Sequence, residues 1–147
     1  MKAAHLLIFF MAVSFVLIAA ATFQYSLEMQ PTIHMTRMEI RFSELNATAD
    51  IDYDVGFLTE IYIFFFGSRN LNPFISQLLY GFDEYQIISV RGTSATIELS
   101  NVTTYTGGYY LHNSRSLGMP VDQLILVYPD GKTLTFENAT ETQSIFY

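Results

Sequence analysis

The chain has no cysteine, no tryptophan, only four prolines and few charges: Asp, Glu, Lys and Arg make up 14% of its 147 residues. Without thiols there is no disulfide scaffold, no cysteine-liganded zinc and no cysteine nucleophile. Basic residues are scarce, seven Lys and Arg against 14 Asp and Glu. The six beyond residue 30 stand singly and build no stripe able to displace counterions from a nucleic acid, so nucleic acid is not an expected partner. Histidine is limited to His5, His34 and His112, whose spacing does not suggest convergence on a metal. What the chain has in plenty is apolar: 50% of residues are hydrophobic, with 13 Phe and 10 Tyr. Its length suits one domain with one core.

The apolar content is concentrated at the N-terminus. Ala3 to Phe23 is a run of 21 residues without formal charge. As a helix it spans about 30 Å, the thickness of a bilayer's hydrocarbon core. Lys2 is the only Lys or Arg before Arg37, so the positive-inside rule places the N-terminus in the cytoplasm and everything after Phe23 outside. The expectation is a single-pass cell-membrane protein whose partner through residues 3–23 is membrane lipid. Ala19-Ala20-Ala21 also fits the small-x-small pattern of a signal peptidase, and cleavage after Ala21 would give a secreted protein. A retained anchor is favoured because the run exceeds the usual h-region of about 7–15 residues. Phe23 and Tyr25 at its outer end suit an interfacial aromatic belt. A pilin-type leader cut near Lys2-Ala3 is a third route, but pilins carry an early carboxylate and the first here is Glu28. Three N-glycosylation sequons, at Asn46, Asn101 and Asn138, agree with export. Six Asn and 25 Ser plus Thr would give about one by chance.

After a spacer over residues 24–34, residues 35–147 read as strands. Met38, Ile40 and Phe42 alternate with Glu39 and Arg41, and Ala49, Ile51, Tyr53 and Val55 alternate with Asp50, Asp52 and Asp54. These are half-buried strands, joined near Asn46 as a hairpin. Ile61 to Phe66 is continuously apolar, as a central strand covered on both faces would be. Ile75 to Phe82 fits a helical turn or a strand equally. Tyr85–Val90, Ala95–Leu99, Tyr109–His112, Gln123–Tyr128 and Thr133–Phe136 complete the set, with turn signals at Gly107-Gly108, Gly118-Met119-Pro120 and Pro129-Asp130-Gly131. The expected fold class is all-β: an Ig-like β-sandwich of seven or eight strands, preceded by one N-terminal transmembrane or signal helix (residues 1–23).

Chemistry is thinly signalled. Asp50, Asp52 and Asp54 imitate the start of an EF-hand loop, but Val55 and Ile61 stand where Gly and Glu are required. A solvated acidic face is the expectation, with a weak cation site completed by Glu39 or Glu44 as the alternative. His112 and Ser114 lack a nucleophile-elbow setting, and His112 reads as a locally bonded residue at a strand end. No catalytic, cofactor or metal residue is assigned. Tyr105, Tyr109 and Tyr110 around Gly107-Gly108 form a possible interaction surface, because tyrosine joins a flat apolar ring to a polar tip. The apolar end Ile145-Phe146-Tyr147 is expected to dock.

Three segments, Tyr109-Tyr110-Leu111-His112, Val127-Tyr128-Pro129-Asp130-Gly131 and Phe146-Tyr147, give residues 36–147 a pattern that resembles uncharacterised single-pass exported surface proteins of archaea. The resemblance implies an exported domain and brings no functional residues. Asn70-Leu71-Asn72-Pro73-Phe74 is similar to a segment of LEA14-type β-sandwiches, which usually read Asn-Pro-Asn there. The expected role is structural or protein-binding in the cell envelope, with an envelope or filament protein as partner. The alternatives are a stator-like component of an archaellum or pilus and, further off, a secreted hydrolase. Intact-mass and glycopeptide measurement of the native protein separates the routes. A chain starting at Met1 is the expected result; a start at Thr22 indicates secretion, and one just after Lys2 or Ala3 indicates a filament subunit.

Overall fold

A computed structural model describes residues 33–147; the anchor or signal segment 1–23 and spacer residues 24–32 lie outside the described residues. The described part is mostly β, as the alternating patterns imply. Strand β1 (Ile33–Ser43) begins inside the expected spacer and pairs antiparallel with β2 (Asn46–Val55), from Ser43 opposite Asn46 to Ile33 opposite Val55. The chain then forms helix α1 (Phe57–Phe66), a 3₁₀ turn (Ser68–Leu71) and helix α2 (Asn72–Leu78). Seven further strands follow: β3 (Tyr85–Val90), β4 (Ser94–Leu99), β5 (Thr104–Thr106), β6 (Tyr109–His112), β7 (Ser116–Val127), β8 (Thr133–Glu141) and β9 (Ile145–Phe146). Six strands make one sheet in the order β3-β4-β2-β1-β7-β8, and β5-β6-β9 make a small second sheet. The neighbouring strands of the large sheet pair antiparallel except β1 with β7.

One face of the large sheet carries the core. Met38, Ile40 and Phe42 of β1, Ala49, Ile51 and Tyr53 of β2, Ile97 and Leu99 of β4, and Leu124 and Leu126 of β7 are buried at alternate positions. Leu71, Ile75, Leu78 and Leu79 close over them at helical spacing, and Val102 and Ile145 join the same cluster. The opposite face is polar. On it Glu39 lies between Arg37 and Arg41, which also reach Asp52 (3.5 Å) and Asp50 (2.5 Å), and the Thr96 hydroxyl donates to Asp50 (2.9 Å). Asp50 and Asp52 of β2 are therefore partnered by guanidinium groups, which supply there the positive charge that the alternative cation site would have needed.

Two expectations are corrected. Ile61–Phe66 is not a central strand but most of α1. A short apolar run does not by itself distinguish a buried strand from a helix, and here Gly56 and Gly67 (φ 83°) frame ten helical residues. Most of that run is also exposed instead of doubly covered. Gly118-Met119-Pro120 is not a turn but part of β7, where the register with β8 shifts between Ser116 and Val121. The Pro129-Asp130-Gly131 hairpin forms as expected: Gly131 has φ 85° and its N–H donates to the Tyr128 carbonyl (2.9 Å).

Gly118 shows why β7 departs from regular geometry. A Cβ there would lie 1.8 Å from the Gln77 carbonyl oxygen, so the last turn of α2 rests directly on the β7 backbone. Replacing Gly118→Ala is expected to lower unfolding free energy by about 2–3 kcal/mol, measured by urea denaturation. A change below about 0.5 kcal/mol would show that α2 is not held at this distance.

Candidate functional site

The tyrosines singled out in the sequence lie on the small sheet. Gly107 (φ 59°) and Gly108 (φ 91°) supply the two positive φ angles of a tight two-residue hairpin between β5 and β6. That register sets Tyr105 directly opposite Tyr110, ring centroids 5.0 Å apart. Tyr110 exchanges backbone hydrogen bonds with Tyr147 (2.8 and 3.0 Å), and their rings stack at 5.5 Å and 25°. Tyr147 meets Tyr128 edge-on at 6.2 Å and Phe42 at 6.0 Å. A ladder of four tyrosines thus runs from the hairpin to the end of β1, each contact worth about 0.5–1.5 kcal/mol beyond its buried area. Tyr105 and Tyr109 are 59% and 61% exposed, whereas Tyr110 is half-buried. The docking expected of the chain end is observed, with Ile145 in the core and β9 paired to β6.

The ladder adjoins the turn between β1 and β2. The Tyr147 hydroxyl donates to the Glu44 carbonyl (2.8 Å), the Thr103 hydroxyl donates to the same oxygen at 2.5 Å, and Val102 N–H donates to Leu45 (2.9 Å). Burial raises the Tyr147 phenol pKa, keeping it a donor. Beside the turn lies an open polar depression of about 470 Å³, lined in part by Ser43, Glu44, Asn46, Glu98 and Asn101. Two sequons therefore meet here: Asn101 N–H donates to Asn46 Oδ1 (3.1 Å), and Asn101 Nδ2 donates to Glu84 (2.8 Å). Asn138 lies apart, on edge strand β8. Asn101 and Asn138 both have φ 52°, a left-handed conformation that Asn tolerates well, so the backbone gives a reason for asparagine at both positions that is independent of any glycan.

His112 ends β6 fully buried. A carbonyl only accepts, so Nδ1–H donates to Val102 (2.8 Å); Nε2 then accepts from the Thr142 hydroxyl (2.9 Å), which itself accepts from Arg115 N–H (2.9 Å). The Ser114 hydroxyl donates instead to the Thr142 carbonyl. Both ring nitrogens are committed to structure, which leaves neither free to act as a base toward Ser114. Among the described residues no group of three or more His, Asp or Glu is arranged to hold a metal. The aromatic surface that sequence reasoning missed is α1, where Phe57, Phe64 and Phe65 are 73%, 84% and 71% exposed. Its signal was available in the two glycines that bracket a run of helical length.

Compared with protein-family models and with curated proteins, this chain matches none.

Burial lowers the His112 pKa below its ordinary 6.5, assisted by Arg115 and opposed by the bond to Val102. As pH falls past about 6.5 the unfolded chain takes up this proton before the folded one, so stability is full above that value and declines toward the lower folded pKa. Unfolding free energy is expected to fall as pH drops below about 6.5, and His112→Asn to flatten that slope. An unchanged slope in the variant would remove His112 as its source.

Proposed function

We propose that this chain is a membrane-anchored, extracytoplasmic β-sandwich variant with a structural or protein-interaction role in the cell envelope. The observation that carries the interaction role is the ladder of Tyr105, Tyr110, Tyr147 and Tyr128 beside the exposed Tyr109. Flat rings fixed by cross-strand stacking lose little conformational entropy on binding, and their hydroxyls meet polar groups at a partner's rim. The sandwich reading is supported by Ile145 of the small sheet sharing a core with the large one.

Anchoring is supported by the uncharged run 3–23 with Lys2 before it. Beyond Lys2 the chain carries six basic and 14 acidic residues, a formal charge of −8 that does not favour adsorption to anionic lipid. The chain enters the domain at Ile33, whereas the ladder surrounds the other end of β1 at Phe42 and Glu44. An anchored domain would therefore hold its tyrosines away from the point of attachment. An interaction role is favoured over hydrolysis because His112 and Ser114 are both spent on internal hydrogen bonds.

The native chain is free of cysteine, so Tyr109→Cys introduces a single thiol into the full-length protein. Treated with a membrane-impermeant maleimide, intact cells are expected to label this variant as fully as lysed cells do, and a short maleimide–diazirine reagent, whose photoactivated end needs no thiol on the partner, to give a discrete envelope adduct on illumination. Labelling only after lysis would contradict the extracytoplasmic placement. A thiol that labels outside yet never crosslinks would contradict the interaction role.

A further inference from the structure

Helix α1 presents an apolar surface that the domain itself does not cover. Of its ten residues only Thr59 is buried, with Ile63 one turn on packed against the core. Phe57, Leu58, Tyr62, Phe64, Phe65 and Phe66 are all exposed, Phe64 to 84%. Isolated exposed apolar residues are ordinary, but a contiguous helical face of this kind marks a surface that something apolar covers. Three observations identify the occupant. First, α1 is fixed at the end of the sheet where the chain enters. It follows directly on Val55, which pairs with Ile33, and just beyond it the Ser68 hydroxyl donates to the carbonyl of Val90 (2.7 Å), the last residue of β3. Second, only residues 24–32 separate Ile33 from the apolar run 3–23, and nine residues reach at most about 30 Å. Third, α1 contains no Lys or Arg and a single charge, Glu60, so its affinity must come from buried rings and not from attraction to phosphate.

We propose that α1 is a second membrane contact, lying flat with its Phe and Tyr side chains in the lipid interface beside the anchor's exit. Ten residues extend about 15 Å, half the hydrocarbon thickness, so the helix lies in the interface and does not cross it. This rests on the anchored reading above, and the test separates the two.

Full-length Phe65→Cys and, as control at the other end of the domain, Tyr109→Cys each take one polarity-sensitive fluorophore. They are reconstituted in phosphatidylcholine vesicles containing a phospholipid with a nitroxide high on its acyl chain. The Phe65 label is expected to shift to the blue and be quenched about twofold or more, insensitively to salt, while the Tyr109 label keeps its aqueous emission. The same contrast is expected for Phe57→Cys. A Phe65 label that matches the Tyr109 label overturns the proposal. So does one that is blue-shifted but unquenched, which would mean that protein, from this chain or a second copy, covers the helix. An alkaline carbonate wash reports on the anchor separately. Quenched protein that washes off leaves the α1 contact standing without the anchor; retained protein with an unquenched label leaves the anchor and removes the contact.

Discussion

The parallel pairing of β1 with β7 is the constraint on which the rest of the domain depends. Parallel neighbours cannot be joined by a tight turn; the chain must leave the sheet and return. Everything from Asn46 to Arg115 lies between them in sequence. Part of it extends the sheet as β2, β4 and β3; α2 and the segments around Val102 contribute to one face. That face becomes the core. The other keeps its charges, and there the most enclosed carboxylate, Glu39, is gripped by Arg37 and Arg41 at the middle of the sheet. With no disulfide available, cohesion comes from this packing, from the docked chain end and from backbone contacts as close as that of Gly118 with Gln77.

The same topology gives the two ends of the sheet different chemistry. At one end the chain enters at Ile33 and α1 displays its aromatic rings. At the other, Glu44 gathers hydrogen bonds from Thr103 and Tyr147, and the tyrosine ladder and two sequons collect around it. The proposed function uses both ends, one toward lipid and one toward a partner in the envelope. His112 serves neither; it ties β6 to Thr142 and Val102 and brings a pH-dependent stability as a by-product of its burial.

How much of this was legible in the sequence differed by element, for physical reasons. The β1–β2 hairpin was readable because each strand has one wet and one dry face, and alternation records that directly. The Pro129-Asp130-Gly131 turn was readable because its backbone demands those residue types. Ile61–Phe66 misleads because continuous apolarity suggests double burial, whereas only Ile63 of this run packs against the core and the other five side chains are exposed. Gly118 and Pro120 signalled a turn, yet Gly118 answers to a long-range contact with α2 that local pattern cannot hold. The tyrosines were visible singly, but their ladder required Tyr147 to return from the chain end to Tyr110. The sequons were visible as motifs, although two of the three asparagines also satisfy a left-handed backbone.

The central claim, that the domain faces lipid with α1 and solvent with its tyrosines, is tested most directly by hydroxyl-radical footprinting of the full-length protein in phosphatidylcholine nanodiscs. Tyr62 and Tyr109 offer the same phenol chemistry and are respectively 48% and 61% exposed in the domain. The account predicts that Tyr62, with Phe64 and Phe65, stays unmodified while Tyr105 and Tyr109 are oxidised. Equal oxidation of Tyr62 and Tyr109, or protection of Tyr109 alone, would contradict it.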